Sequence, residues 1–235
     1  MRRIKAVLFD KDGTLLDFNR TWGPATHAVL TRLADGRQDH FDALIEAVGF
    51  TPGTVELTAD SPVVSDPTPI YARRWADILE RAADEDFFTE IDRLFAESAL
   101  QNITPVTAAR QTLEKLHVRG VKLGLATNDA EANARAQLKH LGLDELLDFV
   151  SGYDSGFGVK PDPGMVLAFA EHAGVAPWEV AMVGDTLHDL HAARGAGAMA
   201  IAVLSGLAGE AAREQLSPHA DLVLLSLDEL PLAIS

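Results

Sequence analysis

Two aspartates stand one residue apart directly after a short apolar run near the start of the chain. The string "AVLFDKDGTLLD" covers residues 6–17, and its neighbouring carboxylates belong to Asp10 and Asp12. Two like charges this close repel each other, so one is kept neutral or a cation joins them. Carboxylates with separated pKa values serve acid–base chemistry, and hard divalent cations prefer oxygen ligands. The pair therefore indicates a site for a metal ion, for proton transfer, or for both.

Polar residues also follow three later apolar runs. Thr127 and Asn128 follow "LGLA", Lys160 stands in "GFGVKPDP" after "LLDFVS", and Asp185 and Asp189 follow "VAMVG". Ligands of open α/β sheets bind beyond the carboxyl ends of the strands, so we expect these segments to converge at one edge. The gathered carboxylates would need a divalent cation, and magnesium fits best because it also takes water and phosphate oxygens. The threonine and the lysine would supply a donor and a positive charge to the same phosphate.

Each of these residues has an ordinary structural interpretation when it is taken alone. An Asp-x-Asp-Gly string is most often a surface turn, Thr127 could cap the following helix, and Lys160 could be a solvated lysine. A calcium loop of the EF-hand type would need glycine at its sixth position, where Leu15 stands. Because four such coincidences fall at the ends of successive strands, the pattern favours a functional site.

The elements that must position these residues form two different patterns along the chain. From residue 103 onward, short β-rich runs alternate with helical patterns in which apolar residues recur three and four apart. Such alternation predicts an α/β fold, a doubly wound parallel sheet covered by helices on both faces. Residues 17–102 instead contain helical patterns and a loop rich in Pro, Ser, Thr and Asp. We therefore expect a core domain of residues 1–16 and 103–235, with a helical domain of residues 17–102 inserted after the first strand.

Composition limits the classes of protein and partner. The 235 residues are 47 per cent hydrophobic and 23 per cent charged, which is typical of a soluble globular chain. The net charge of −15 disfavours nucleic acid and anionic membranes as partners. The chain has no cysteine, which excludes disulfides and thiolate chemistry and fits a cytoplasmic location. The apolar run at residues 6–9 is too short for a signal peptide, and no run reaches the ~18 residues of a membrane span. Monomer and homodimer are both open.

Four strings, in chain order, resemble the four motifs of the haloacid dehalogenase-like superfamily. They are "FDKDGTLLD", "LATND", "GVKPDP" and "VGDTLHDL". The pattern is most similar to that of phosphoglycolate phosphatase-like members, which carry a helical cap inserted after the first motif. The resemblance implies a Rossmann-like core with a mostly α-helical cap. It also implies a Mg²⁺-dependent phosphatase that hydrolyses a small phosphomonoester, phosphoglycolate or similar, through an aspartyl-phosphate.

The resemblance further implies a role for each motif residue. Asp10 would be the nucleophile, and Asp12 would be the general acid and base, offering its backbone carbonyl to the metal. Thr127 would hydrogen-bond a phosphoryl oxygen, and Lys160 would neutralise the phosphate and orient the nucleophile. The substrate-binding residues would be Thr127, Asn128 and Lys160. The magnesium site would draw on four residues: Asp10, Asp12, Asp185 and Asp189.

Other activities are less well matched by these residues. Dehalogenases of this superfamily lack the second aspartate, which Asp12 supplies here. Phosphonoacetaldehyde hydrolase requires a lysine in the cap, and none of the six lysines falls within residues 17–102. A sugar phosphomutase has the same core motifs and stays open as an alternative. A phosphoacceptor signalling domain also uses Asp, Thr, Lys and magnesium, but it carries its aspartate on a middle strand and has no insert of this size.

Two features leave the choice of substrate open. Lys11 stands between the two aspartates, where the family commonly has an apolar residue, and the sequence does not fix whether it points into the core or toward the site. The predicted cap offers six candidates for contacts to the leaving group: Asn19, Arg20, Trp22, His27, Arg73 and Arg74. Each of these six, taken alone, is more typical of ordinary surface or core structure.

Overall fold

The computed structural model describes residues 3–51, 53–58, 60–66 and 68–234. The chain forms two compact units: a core unit of Met1–Asp17 with Pro105–Ser235, and a helical unit of Phe18–Thr104. The predicted domain ranges also include residues 1, 2, 52, 59, 67 and 235, which lie outside the described residues. That the helical unit serves as a cap stays a prediction.

Six strands form the parallel sheet in the described part of the core unit. They are β1 (Ala6–Phe9), β2 (Lys122–Ala126), β3 (Phe149–Ser151), β4 (Val180–Gly184), β5 (Met199–Val203) and β6 (Leu222–Leu224). Their spatial order is β3-β2-β1-β4-β5-β6. Phe9 at the end of β1 lies opposite Leu125 of β2 and Val183 of β4. The strand order reverses between β1 and β4, and doubly wound sheets bind their ligands at this switch point.

The described residues of the helical unit contain five α-helices. They are α1 (Phe18–Ala34), α2 (Gln38–Val48), α3 (Pro62–Ser65), α4 (Thr68–Ile78) and α5 (Glu85–Asn102). Trp75 of α4 is 1 per cent exposed and packs in an apolar cluster with Leu30 and Ile91. Asp84 caps the N-terminus of α5, where its side chain accepts a hydrogen bond from the Phe87 amide at 3.0 Å.

Where the structure describes the core unit, it contains six further α-helices. They are α6 (Ala109–Val118), α7 (Glu131–Leu141), α8 (Gly164–Ala173), α9 (Leu187–Ala196), α10 (Arg213–Leu216) and α11 (Leu230–Ala233). Val7 and Phe9 face a cluster that includes residues of α6 and α7, whereas Ala6 and Leu8 face a cluster that includes residues of α8 and α9. A strand buried on both faces must be apolar throughout, as β1 is. The predicted doubly wound α/β fold is therefore confirmed. In the described part of the chain, every helix is too short or too polar to cross a bilayer.

Candidate active site

Three of the predicted site residues lie directly after the ends of neighbouring strands. Asp10 follows β1, Thr127 follows β2 and Asp185 follows β4. The Asp10 amide donates to the carbonyl of Val183 at 2.8 Å, and the Thr127 amide donates to that of Ser151 at 2.9 Å. Because β1 lies between β2 and β4, the parallel pairing brings the three residues to one edge of the sheet.

Three carboxylates gather at the end of β1 and β4. Asp10, Asp185 and Asp189 each offer an oxygen, and these oxygens lie within 4.8 Å of one another. Burial raises the pKa of Asp10 to about 7. It also raises the pKa of Asp185 well above its ordinary value, and the neighbouring carboxylates add to this effect. An all-oxygen set of buried, mutually repelling groups suits a hard divalent cation such as Mg²⁺.

Lys160 compensates two of these carboxylates. Its ammonium donates to Asp10 Oδ1, and it donates to Asp189 Oδ1 at 2.6 Å. The residue is 5 per cent exposed. Burial by itself would lower the pKa of Lys160, but the charges of Asp10 and Asp189 outweigh burial and raise that pKa above its ordinary value. Lys160 therefore stays charged at the carboxyl edge of the sheet.

Asn128 fixes the loop that carries Lys160. Its Nδ2 donates to the Lys160 carbonyl at 2.9 Å, and its Oδ1 accepts from the Lys160 amide at 2.9 Å. Thr127 is buried, and its Oγ1 accepts from the Asp129 amide at 3.1 Å. The side chain of Asn128 is thus engaged by backbone in this structure, and its predicted contact with substrate stays a prediction.

Asp189 lies in the first turn of α9 and is fully buried. Its Oδ2 accepts from the Thr186 amide at 3.1 Å and from the Thr186 hydroxyl at 2.7 Å, while its Oδ1 accepts from Lys160. Both oxygens of Asp189 are therefore used within the protein. Asp189 thus holds Lys160, and the predicted roles of Asp10, Asp185 and Asp189 as metal ligands stay predictions.

Asp12 lies beside Lys11, and its charge adds to the raised pKa of Asp10 in the buried cluster. Its side chain is 22 per cent exposed, and its Oδ2 forms an ion pair with the Lys11 ammonium at 2.9 Å. Lys11 is fully buried, so its side chain points into the core unit and away from solvent. Burial by itself would lower the pKa of Lys11, but Asp12 and Asp129 outweigh burial and raise it.

Several residues that contact the site were missed by the sequence analysis. Thr14 Oγ1 donates to Asp185 Oδ1 at 3.4 Å, and Ser205 Oγ donates to the Gly13 carbonyl at 2.8 Å. Ser205 comes shortly after β5, so the strand-end rule could have found it. Gln137 accepts from Lys11 at 2.6 Å, and it stands in the middle of a helical pattern that gives no such signal.

The six candidates for contacts to the leaving group lie in the helical unit, and some are engaged within it while others are exposed. Asn19 Oδ1 accepts from the Leu57 amide at 2.9 Å, so its amide group fixes a loop of the same unit. The Arg73 guanidinium lies over the Phe88 ring, with its carbon 5.9 Å from the ring centroid. Trp22 and His27 pack against Phe95 and Phe41 respectively, while Arg20 and Arg74 are exposed. A contact between any of these side chains and a substrate stays a prediction.

The family of the chain follows from a profile match. The profile of the haloacid dehalogenase-like hydrolases matches residues 4–197. Because this match covers most of the chain, the chain belongs to that family of hydrolases, and the membership predicted from the four motifs is confirmed.

The chain is also similar to individual proteins with curated names and to solved structures. The chain is 31 per cent identical to a phosphoglycolate phosphatase of Rhodospirillum rubrum, over 88 per cent of this chain and 82 per cent of that protein. It is 28 per cent identical to the pyrophosphatase PpaX of Halalkalibacterium halodurans, over 97 per cent of this chain and 95 per cent of that protein. A structure assigned as a β-phosphoglucomutase from Thermotoga maritima aligns with a TM-score of 0.75 at 22 per cent identity, covering 98 per cent of each chain. This last likeness shows a shared fold.

Proposed function

We propose that this hydrolase is a Mg²⁺-dependent phosphatase that cleaves a small phosphomonoester through an aspartyl-phosphate on Asp10. The observation that carries the proposal is the position of Asp10 at the switch point of the sheet, with its carboxylate held by Lys160 beside that of Asp185. The curated phosphoglycolate phosphatase of Rhodospirillum rubrum supports the substrate class.

The proposed first step transfers the phosphoryl group to Asp10. A carboxylate oxygen of Asp10 attacks phosphorus in line, the bond from phosphorus to the ester oxygen breaks, and an acyl-phosphate bond forms. Asp12 gives its proton to the departing alkoxide, which leaves as the alcohol. The partial exposure of Asp12 suits a group that must reach a leaving group and exchange a proton with water.

The second step returns Asp10 to its starting form. Asp12, now ionised, takes a proton from a water molecule whose oxygen attacks the phosphorus of the aspartyl-phosphate. The acyl-phosphate bond breaks, inorganic phosphate leaves, and Asp12 is protonated again. The net reaction consumes one ester and one water, and it releases one alcohol and one phosphate.

The remaining residues would balance the negative charge of the site and orient the phosphoryl group. Lys160 would keep Asp10 ionised and share its positive charge with the phosphoryl oxygens. The Thr127 oxygen accepts from the Asp129 amide and keeps its own proton, which would be donated to a phosphoryl oxygen. Mg²⁺, held by the carboxylates of Asp10 and Asp185 and the backbone carbonyl of Asp12 with support from Asp189, would offset the negative charge of these groups and of the phosphate.

The proposal is tested by a panel of phosphate compounds assayed with Mg²⁺. The panel contains phosphoglycolate, a hexose phosphate, pyrophosphate and 4-nitrophenyl phosphate. We expect an ester to release phosphate, and we expect Asp10→Asn and chelated wild type each to lose at least about a thousandfold in turnover. Asp144→Asn, the same change at an exposed aspartate of the core unit, should keep full activity.

Three outcomes would contradict the proposal. Near-native turnover by Asp10→Asn would show that the nucleophile is another group. Conversion of the hexose phosphate to an isomer, with little free phosphate, would show a phosphomutase. Turnover of pyrophosphate alone would show a pyrophosphatase, the activity named for the relative in Halalkalibacterium halodurans.

A further inference from the structure

Lys11 holds three acceptors from three separate segments of the core unit. Its ammonium lies 2.9 Å from Asp12 Oδ2, donates to Asp129 Oδ2 at 2.8 Å, and donates to Gln137 Oε1 at 2.6 Å. A lysine ammonium has three protons to donate, and these partners offer an acceptor for each. Lys11 is fully buried, and this geometry joins the end of β1, the loop after β2, and α7.

Asp129, one of the acceptors of Lys11, is itself held by further hydrogen bonds. Asp129 Oδ1 accepts from the Ala130 amide at 2.7 Å and from Asn133 Nδ2 at 3.2 Å. The Asp129 amide donates to Thr127 Oγ1 at 3.1 Å. One ammonium therefore joins the carboxylate of Asp12 to that of Asp129, whose amide contacts Thr127.

Stability alone gives no reason for a charged residue at this position. Burying an ammonium and its partners costs desolvation energy, and apolar replacements for buried ion pairs are often neutral or stabilising. Phe9 and Leu15 in the same segment are apolar and fully buried, whereas Lys11 is charged and equally buried. The charge is therefore better explained by what it holds. Its two carboxylate partners, Asp12 and Asp129, are both partly exposed, at 22 and 23 per cent, and Asp12 is the one proposed above as the general acid.

We propose, on the basis of the function proposed above, that Lys11 is a positioning residue that fixes the Asp12 carboxyl group for protonation of the leaving alcohol. The ammonium lies 2.9 Å from one oxygen of Asp12 and so restricts the orientation of the carboxyl group. Lys11 touches neither phosphorus nor the ester oxygen, and it acts only through Asp12. Placing a reacting group to within a fraction of an ångström is worth large factors in rate.

The test compares substrates that do and do not need a proton to leave. 4-Nitrophenolate departs without protonation, whereas an alkoxide from an alkyl phosphate requires it. We expect Lys11→Met to slow formation of the phosphoenzyme from an alkyl phosphate, phosphoglycolate or the best alkyl ester of the panel, by about a hundredfold. Formation from 4-nitrophenyl phosphate should slow less than about threefold, measured by acid quench in a single turnover.

The matched control is Lys122→Met, the same change at an exposed lysine of β2 that pairs with Asp148 at 3.0 Å. It should slow both substrates by less than about twofold. Gln137→Met serves as a second variant, because it retains Lys11 and removes only the contact to α7. We expect it to slow the alkyl substrate selectively by about threefold or more, since the ammonium loses one of its three fixed partners.

The outcomes separate this proposal from the proposed function. Should wild type form no phosphoenzyme from either substrate, both proposals are overturned. If wild type forms it and folded Lys11→Met slows both substrates equally or slows neither, the positioning role is overturned while the phosphatase proposal stands. Where Lys11→Met does not fold, an unchanged substrate ratio in Gln137→Met overturns the positioning role.

Discussion

Lys160 is the main positive charge within the buried carboxylate cluster. Its ammonium contacts Asp10 and Asp189, and the lysine and both aspartates are buried. Desolvation would favour the neutral form of each group, but the opposite charges outweigh that preference for the lysine. Removal of the amine would leave two buried carboxylates without this compensating positive charge.

We predict that Lys160→Met lowers the free energy of unfolding by about 3 kcal/mol at about pH 8, because it leaves buried charge uncompensated. The decrease in the free energy of unfolding should be smaller at about pH 5. The pKa of Asp10 is about 7 in the folded protein, so Asp10 takes up a proton below that pH and becomes neutral. Urea unfolding of both proteins in chelator, at the two pH values, measures the difference.

Lys122→Met is the control for this measurement, because Lys122 is exposed and its surface pair contributes little. A Lys160→Met variant that loses as much stability at the lower pH as at the higher one would contradict the ionic account of Lys160.

The sequence reveals a residue when its type conflicts with its surroundings. Asp10, Thr127 and Asp185 stand out because a polar residue directly after an apolar strand gains nothing from a core. Lys11 conflicts in the same way, but its direction could not be deduced, since a residue between two loop aspartates can point to either side. Gln137 gives no conflict, because glutamine is ordinary in a helix, and only the folded contact with Lys11 reveals it.

The loops after β1 and β5 pack closely around Asp185. A Cβ atom added at Gly206 would lie 2.0 Å from Asp185 Oδ2, and one added at Gly13 would lie 2.3 Å from the same oxygen. Gly13 also has φ of +84°, which an L side chain rarely adopts. These glycines leave room for the Asp185 carboxylate beside Asp10.

We predict that Gly206→Ala weakens Mg²⁺ binding by about tenfold or more, because the added methyl group forces the Asp185 carboxylate to move. Thermal unfolding in chelator should change little. Isothermal titration with Mg²⁺ gives the affinity, and calorimetric scanning gives the stability.

Gly209→Ala is the control for Gly206→Ala. Nothing lies within 4 Å of a Cβ at Gly209, whose φ is +54°, so this variant strains the backbone without touching Asp185. Equal losses of Mg²⁺ affinity in the two variants would contradict a role for Asp185 as a ligand.

The elements themselves were largely predictable, and their ends were not. The run "LLDFVS" at residues 146–151 predicts a strand, but β3 occupies only Phe149–Ser151. Residues 144–146 form a turn of 3₁₀ helix, and the Asp148 amide donates to the Leu123 carbonyl where the strand pairing begins. Hydrophobicity does not distinguish an apolar turn packed on the sheet from the strand beside it, so the boundary depends on the tertiary structure.

The molecule as a whole is acidic, and its proposed substrate is an anion. The net charge of −15 gives an average surface that repels phosphate esters. Attraction must therefore come from local positive charge, which Lys160 and a bound cation would supply at the carboxyl edge of the sheet. Binding of that cation is coupled to the protonation of its ligands.

We predict that the apparent affinity for Mg²⁺ falls about tenfold between about pH 8 and about pH 6. The pKa of Asp10 is raised to about 7 and that of Asp185 is raised as well, so protons compete with the metal as the pH falls. Titration calorimetry in two buffers of different ionisation heat also reports the protons released. Asp144→Asn should keep the wild-type pH dependence, whereas an affinity for wild type that is equal at both pH values would contradict the shared site.

The most direct measurement of the mechanism is the mass of the peptide that contains Asp10 after acid quench during turnover of a phosphate ester. The account predicts that this peptide carries the mass of one phosphoryl group, that hydroxylamine removes it as expected of an acyl-phosphate, and that Asp10→Asn lacks it. A phosphoryl group found on another residue, or none during rapid turnover, would contradict the account.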